Sequence, residues 1–131
     1  MPFCSAATWC EAVPTVYIVD DDASVLDSMA LVIRLLGWEV RTFPSGESLL
    51  REASQEWDGC LLIDFNLGSM TAAEVIRRMR AAGISVPAIV ASSESPAALE
   101  PLLSGFAAVE IIEKPMKPGV LESSIRRALS R

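Results

Sequence analysis

Residues 15–22 read Thr-Val-Tyr-Ile-Val-Asp-Asp-Asp, an apolar run that ends in three consecutive acids. The β-branched and aromatic side chains of Thr15–Val19 favour a buried β-strand. A second run of this kind, Cys60–Ile63, is followed by Asp64, and a third precedes Ser92. Strands that each end in a polar side chain predict a sheet that carries its chemistry along one edge.

Helical patterns separate these runs. Apolar residues recur on one face of Ala23–Leu36, and Gly37 marks the end of that helix. Ser45 is expected to cap a short second helix, and Thr71 with Glu74 has the spacing of a capping box. Such alternation predicts an α/β fold whose parallel sheet lies between two helical layers. The other predicted elements are the strands Glu39–Phe43, Ala88–Ala91 and Val109–Ile112 and the helix Pro118–Leu129.

Composition limits what the chain can do. Its 131 residues suit one domain, predicted to span residues 15–131 behind a loose leader, residues 1–14. A net charge of −6 disfavours direct nucleic-acid binding, and the absence of histidine excludes His-based triads, His-ligated zinc and a phosphohistidine on this chain. We find neither a basic signal peptide nor an apolar run long enough for a membrane span, so a cytoplasmic location is expected.

The polar residues at the strand ends are expected to converge. They are Asp20, Asp21, Asp64, Ser92 and Lys114. Two carboxylates about 4 Å apart repel by about 4 kcal/mol at an effective dielectric constant of about 20. Lys114 supplies one positive charge, and oxygen ligands without His or Cys favour Mg²⁺ as a further cation. With such an ion present, Asp64 is placed to act as a nucleophile towards phosphorus.

These residues also carry a resemblance. The chain resembles the response-regulator receiver domains of two-component signalling, through Val-Asp-Asp at residues 19–21, the lone Asp64 and Lys114-Pro115. The sequence Glu-Lys-Pro at residues 113–115 is similar to the nitrogen-fixation-regulator branch. The resemblance implies a flavodoxin-like, doubly wound fold, as in the chemotaxis regulator, with five helices and strand order 2-1-3-4-5.

The resemblance also implies roles for individual residues. Asp64 would accept the phosphoryl group, with Asp21 and Asp64 on Mg²⁺ and Asp20 acting mostly through water. The Asn66 main-chain carbonyl would bind the same ion. Ser92 would hydrogen-bond the phosphoryl group and Lys114 would pair with it, next to a cis bond to Pro115.

Two further positions are expected to set the lifetime of the phosphorylated form. Asn66 and Glu94 lie two residues past the acceptor and the hydroxyl, a pair similar to that of chemotaxis-type regulators, which lose their phosphoryl group quickly. We therefore expect rapid self-dephosphorylation, with Asn66 helping to place the attacking water. Asp22, next to the acidic pair, is interpreted as a solvated cap.

Several positions depart from the family pattern. Ile111 stands where an aromatic switch residue is usual, Gly68 where proline is common, and Ala107 where glycine is common. Pro101 falls inside the predicted fourth helix and should leave it short and kinked or make it start late. These departures put the route from the phosphate to an output surface in question.

The expected function is to accept a phosphoryl group from a histidine kinase or a histidine phosphotransfer protein. The added charge would switch a surface near the fourth helix, the fifth strand and the fifth helix, read by an output protein or a downstream output domain. Formation of a homodimer is a further possibility. The chain would catalyse only its own phosphorylation and dephosphorylation. Two alternatives are an interaction module that is never phosphorylated, suggested by Ile111 and Pro101, and a Mg²⁺-dependent phosphohydrolase for small molecules.

Overall fold

A computed structural model describes residues 13–130 of the chain, so most of the predicted leader lies outside the described residues. Within this range strands and helices alternate in sequence, and the predicted α/β class is confirmed. The strands are β1 (Thr15–Val19), β2 (Glu39–Phe43), β3 (Cys60–Asp64), β4 (Ala88–Ser92) and β5 (Val109–Glu113). The helices are α1 (Ala23–Leu35), α2 (Gly46–Glu52), α3 (Ala72–Ala81), α4 (Pro96–Leu103) and α5 (Pro118–Leu129).

The five strands form one parallel sheet in the order β2-β1-β3-β4-β5, which confirms the predicted topology. Because β1 and β3 are neighbours, Val19 lies beside Ile63 and the acids that follow them emerge together. Asp64 lies beside Ala91 in the next strand. Parallel pairing therefore brings the functional ends of three strands to the same edge.

The alternation of side chains along the strands supplies two hydrophobic cores, one on each face of the sheet. Tyr17 and Val19 point to the face covered by α2, α3 and α4, whereas Val16 and Ile18 point to the face covered by α1 and α5. Both faces are covered, so the central strands are buried along their length. This packing holds the strand ends rigidly at the edge that carries the acids.

Side-chain caps set the starts of three helices. Asp22 accepts hydrogen bonds from the N–H groups of Ser24 and Val25 and begins α1. Ser45 and Ser48 form a reciprocal capping box at α2. The box predicted at α3 forms only in part: Thr71 accepts from the N–H of Glu74, but the Glu74 carboxylate binds arginines on its own helix, Arg77 and Arg78.

Helix α4 is short, as Pro101 predicts. Pro96 occupies its first turn, where a missing N–H is tolerated, and the helix ends at Leu103, two residues beyond Pro101. In the following turn Ala108 adopts a φ of 60°, in the left-handed region. Arg80 supports this turn by donating to the Ala107 carbonyl. Among residues 13–130, the helices all lack the combination of length and apolar character that crossing a bilayer requires.

Two glycines in the first turns of helices should respond oppositely to substitution. A Cβ at Gly46 would lie 2.8 Å from the Val75 Cγ2 atom and 2.6 Å from the Met70 Sδ atom, whereas a Cβ at Gly119 would meet nothing within 4 Å. We expect Gly46→Ala to lower the free energy of unfolding by about 1–3 kcal/mol through overpacking. Gly119→Ala should raise it by about 0.5–1 kcal/mol by restricting the unfolded chain. Urea unfolding of both variants measures this, and equal effects would contradict the packing argument.

Candidate functional site

The three predicted acids meet at the carboxyl ends of β1 and β3. Carboxylate oxygens of Asp20, Asp21 and Asp64 all lie within 4.8 Å of one another. Their surroundings differ, because Asp20 is buried, Asp64 is half-buried and Asp21 is exposed. The sequence-based expectation that these side chains converge is therefore correct.

Lys114 supplies the positive charge at this cluster. Its Nζ atom lies 2.7 Å from Oδ1 of Asp64 and 4.0 Å from Oδ2 of Asp20. The N–H of Lys114 donates to the Ser92 carbonyl, which ties the start of this turn to β4. The peptide bond from Lys114 to Pro115 is cis, as the resemblance implies. One lysine thus contacts two acids and leaves the cluster with excess negative charge.

Asp20 is the most buried of the three acids in the cluster. Loss of hydration raises the pKa of its carboxyl group, and the nearby charge of Asp64 raises it further. The N–H of Asp22 donates to Asp20 Oδ1 at 2.9 Å and opposes that shift, as does the charge of Lys114. A cation at the cluster would stabilise the ionised form of Asp20.

Ser92 lies at the end of β4 with its side chain buried. Its hydroxyl oxygen accepts a hydrogen bond from the N–H of Glu94 at 3.0 Å. The hydroxyl proton remains able to rotate towards another acceptor. The Glu94 side chain is exposed, two residues beyond the hydroxyl.

The loop after Asp64 carries Asn66 and Gly68 next to the acids. Asn66 is exposed, and its side-chain oxygen accepts from the N–H of Gly68 at 3.3 Å. Gly68 has a φ of +82°, which proline cannot adopt because its ring fixes φ near −65°. A Cβ at Gly68 would lie 3.6 Å from Oδ2 of Asp21, so this part of the loop lies next to that acid.

Ile111 lies apart from the acids, on the face of β5 that packs towards α4. It is half-buried beside the α2–α3–α4 core and pairs with Val90 of β4. A groove of about 330 Å³ separates β5 from α4, lined by Ile111 together with Pro96, Glu100, Leu103, Ser104, Phe106 and Val109. Ile111 and Pro101 therefore belong to the surface that the resemblance assigns to output.

Asp22 and Cys60 have structural roles. Asp22 is exposed and caps α1, which agrees with its interpretation as a cap. Cys60 is buried in β3, where loss of hydration raises the pKa of its thiol to about 12. A thiol of such high pKa is inert as a nucleophile or metal ligand at neutral pH.

The donor set suits a hard divalent cation. The acid cluster offers only oxygen atoms, and the one lysine beside it does not balance the negative charge. Mg²⁺ prefers carboxylate and carbonyl oxygens and keeps part of its water shell, which the exposed position of Asp21 allows. The cluster Asp20, Asp21 and Asp64 thus fits Mg²⁺.

Comparison with known proteins identifies the family. Residues 16–126 match the family model described as "Response regulator receiver domain". The chain belongs to this family. It is 34% identical over 116 residues to the "Transcriptional regulatory protein FixJ" of Rhizobium meliloti (strain 1021), covering 87% of this chain and 56% of that protein. It is 32% identical to the "Response regulator protein TmoT" of Ectopseudomonas mendocina, over 87% of this chain and 52% of that protein.

Solved structures agree with this assignment. The receiver superposes on a crystal structure titled FixJ-N with a TM-score of 0.83 and 29% identity, covering 92% of this chain and 97% of that one. A CheY-like receiver domain of Methanospirillum hungatei JF-1, at 23% identity and a TM-score of 0.82 over 91% and 95% of the two chains, supports the fold alone. The chain spans about half the length of the curated relatives described above. Receiver domains are generally Mg²⁺-dependent signalling modules rather than enzymes.

The pKa shift of Asp20 predicts that replacing this residue changes the free energy of unfolding by an amount that depends on pH. Because the pKa of Asp20 is raised, its carboxyl group in the folded receiver keeps a proton that the unfolded chain already loses above pH 3.8. Ionisation of Asp20 at higher pH therefore lowers the stability of the fold. In metal-free buffer we expect Asp20→Asn to raise the free energy of unfolding at pH 7 by about 1 kcal/mol. The gain should shrink towards pH 4.

Urea unfolding at both pH values measures this effect. Asp27→Asn, which removes an acid from an exposed position of α1, is the control for a general change in net charge. An equal gain from Asp27→Asn, or a gain from Asp20→Asn that is larger at pH 4 than at pH 7, would contradict the electrostatic explanation.

Proposed function

We propose that this receiver accepts a phosphoryl group on Asp64 from the phosphohistidine of a histidine kinase or a histidine phosphotransfer protein. The observation that carries the proposal is the Asp64 carboxylate, half-buried, paired with Lys114 at 2.7 Å and grouped with Asp20 and Asp21. A carboxylate oxygen of Asp64 would form the new bond to phosphorus as the phosphorus–nitrogen bond breaks. The imidazole of the partner leaves with the electron pair of that bond.

The neighbouring side chains would orient the transferred group. Lys114, within reach of both Asp20 and Asp64, would pair with a phosphoryl oxygen. Ser92 would turn its hydroxyl proton to a second oxygen while still accepting the N–H of Glu94. Phosphoryl transfer depends mainly on such positioning and on neutralising charge, so these contacts supply much of what the step needs.

Asp20, Asp21, Asp64 and the main-chain carbonyl of Asn66 would hold the metal ion. When bound, Mg²⁺ neutralises charge on the acids and on the equatorial oxygens of the phosphoryl group. The chain's own residues set the geometry, because the N–H of Asp22 donates to Asp20 and Gly68 lies next to Asp21.

The added phosphoryl charge, about −1.5 to −2, would favour a different arrangement of the surface formed by α4, β5 and α5. Ile111 lines the groove on this surface where an aromatic residue is usual, so we propose a readout that depends on repacking of the groove. An output protein, or an output domain following the receiver, would recognise the change. We therefore propose a cytoplasmic location for this receiver.

Phosphorylation of the purified chain tests the function. Incubation with acetyl phosphate and Mg²⁺ should add the mass of one phosphoryl group to the wild type and none to Asp64→Asn, as measured by intact mass spectrometry. Asp58→Asn, outside the acid cluster, is the matched control and should be labelled like the wild type. EDTA should abolish labelling.

Each other outcome rejects the proposal. A folded wild type that gains no mass would favour an interaction module that is not phosphorylated. Label that persists in Asp64→Asn would show that the acceptor is another residue. Repeated turnover of a phosphomonoester without stoichiometric label would favour the phosphohydrolase.

The lifetime of the phosphorylated form tests the proposed role of Asn66. Asn66 is exposed beside the acids, where its side chain could orient a water towards the phosphorus. We expect Asn66→Arg to lengthen the half-life of phospho-Asp64 by roughly tenfold, because a group that positions the attacking water is lost. Decay of the phosphorylated mass after donor removal measures it, and an unchanged half-life would contradict the role.

A further inference from the structure

The loop that follows Asp64 is fastened to the start of α2 by two contacts. The Ser69 hydroxyl donates to Oε2 of Glu47 at 2.9 Å. Met70 lies against Gly46 so closely that a Cβ there would overlap its sulfur atom. Neither α2 contact involves an acid of the cluster, and both fall between residues that are distant in sequence.

The same loop faces the acid cluster on its other side. Gly68, directly before Ser69, lies next to Oδ2 of Asp21, and Asn66 begins the loop two residues after Asp64. Backbone hydrogen bonds from Leu67 N–H to the Met70 carbonyl and from Ser69 N–H to the Leu67 carbonyl make the loop a compact unit. A displacement of Ser69 should therefore reach the backbone of Asn66 and Gly68.

Glu47 is suited to hold the hydroxyl of Ser69. Hydrogen bonds from its own N–H and from Ser69 lower the pKa of its carboxyl group, so it accepts as a carboxylate at neutral pH. A hydrogen bond to a charged acceptor is stronger than a neutral one. Glu47 also lies in the first turn of α2, where a negative charge is favourable.

We propose that Glu47 and Ser69 are positioning residues for the metal site of this receiver. Their hydrogen bond fixes the loop that carries Asn66, the proposed carbonyl ligand, and Gly68, which lies next to Asp21. The inference rests on the proposed Mg²⁺ site, and it assigns part of the affinity for the ion to α2, which supplies no ligand. Both residues act through the loop rather than by contact with the ion.

Calorimetric titration of the full, unphosphorylated chain with Mg²⁺ tests the proposal. We expect Ser69→Ala and Glu47→Ala each to weaken Mg²⁺ binding by about threefold, less than the 10- to 100-fold typical of groups bonded directly to a ligand. The double variant should lose no more than either single one, because both remove the same hydrogen bond. Glu47→Gln, whose amide oxygen still accepts but carries no charge, should weaken Mg²⁺ binding less than Glu47→Ala does.

Two controls separate positioning from charge and from stability. Glu52→Ala removes the same charge from the same helix at a residue that pairs with Arg41, and should leave Mg²⁺ affinity unchanged. The Mg²⁺ concentration that half-saturates acetyl phosphate labelling should rise in Ser69→Ala, while the rate at saturating Mg²⁺ should not change. A purely structural role would lower the unfolding midpoint without moving either Mg²⁺ measurement.

Different results would overturn the positioning role, the metal site and the phosphoryl transfer. Unchanged affinity in folded Ser69→Ala, additive losses in the double variant, or an equal loss in Glu52→Ala would each overturn the positioning role and leave the proposed function standing. A wild type that binds no Mg²⁺ would overturn the metal site and this inference together. A wild type that binds Mg²⁺ but takes no label would reject only the phosphoryl transfer, since the affinity measurements do not depend on it.

Discussion

The mutual repulsion of the carboxylates of Asp20, Asp21 and Asp64 is the constraint on which the rest of the receiver depends. Their oxygens lie within 4.8 Å of one another, and Lys114 offsets only part of the charge. Such a cluster persists only if the backbone beneath it cannot relax. The two covered faces of the parallel sheet provide that rigidity, because β1 and β3 are buried on both sides and cannot separate without exposing both cores.

The acids of the cluster differ in how far they are buried. Asp20 is nearly excluded from water and depends on the N–H of Asp22 and on Lys114 for compensation. Asp21 is exposed and lies next to the loop that contains Gly68. The buried charge of Asp20 is thus unfavourable, whereas Asp21 is accessible, and together they favour binding of a cation. The same charges keep the stability of the fold below that of a fold with an uncharged edge.

The sequence predicted the strands and most helix starts well because these depend on local patterns. It placed the ends of β3, β4 and β5 one residue too early, since pairing in the sheet extends to Asp64, Ser92 and Glu113 themselves. It placed the end of α1 at Leu36, which instead forms the cap. The reciprocal bond expected of Glu74 fails because two arginines on the same helix compete for its carboxylate.

By itself the sequence determined which residues reach the edge of the sheet, because the order of apolar runs and acids sets a parallel α/β topology. It also marked Ser92, at the end of β4, and Lys114, directly after β5. Only the tertiary structure decided that Asp20 is buried, that Gly68 lies next to Asp21 with a positive φ, and that Ser69 binds Glu47. These features arise between segments far apart in the chain, where packing and burial outweigh local propensity, so no local pattern records them.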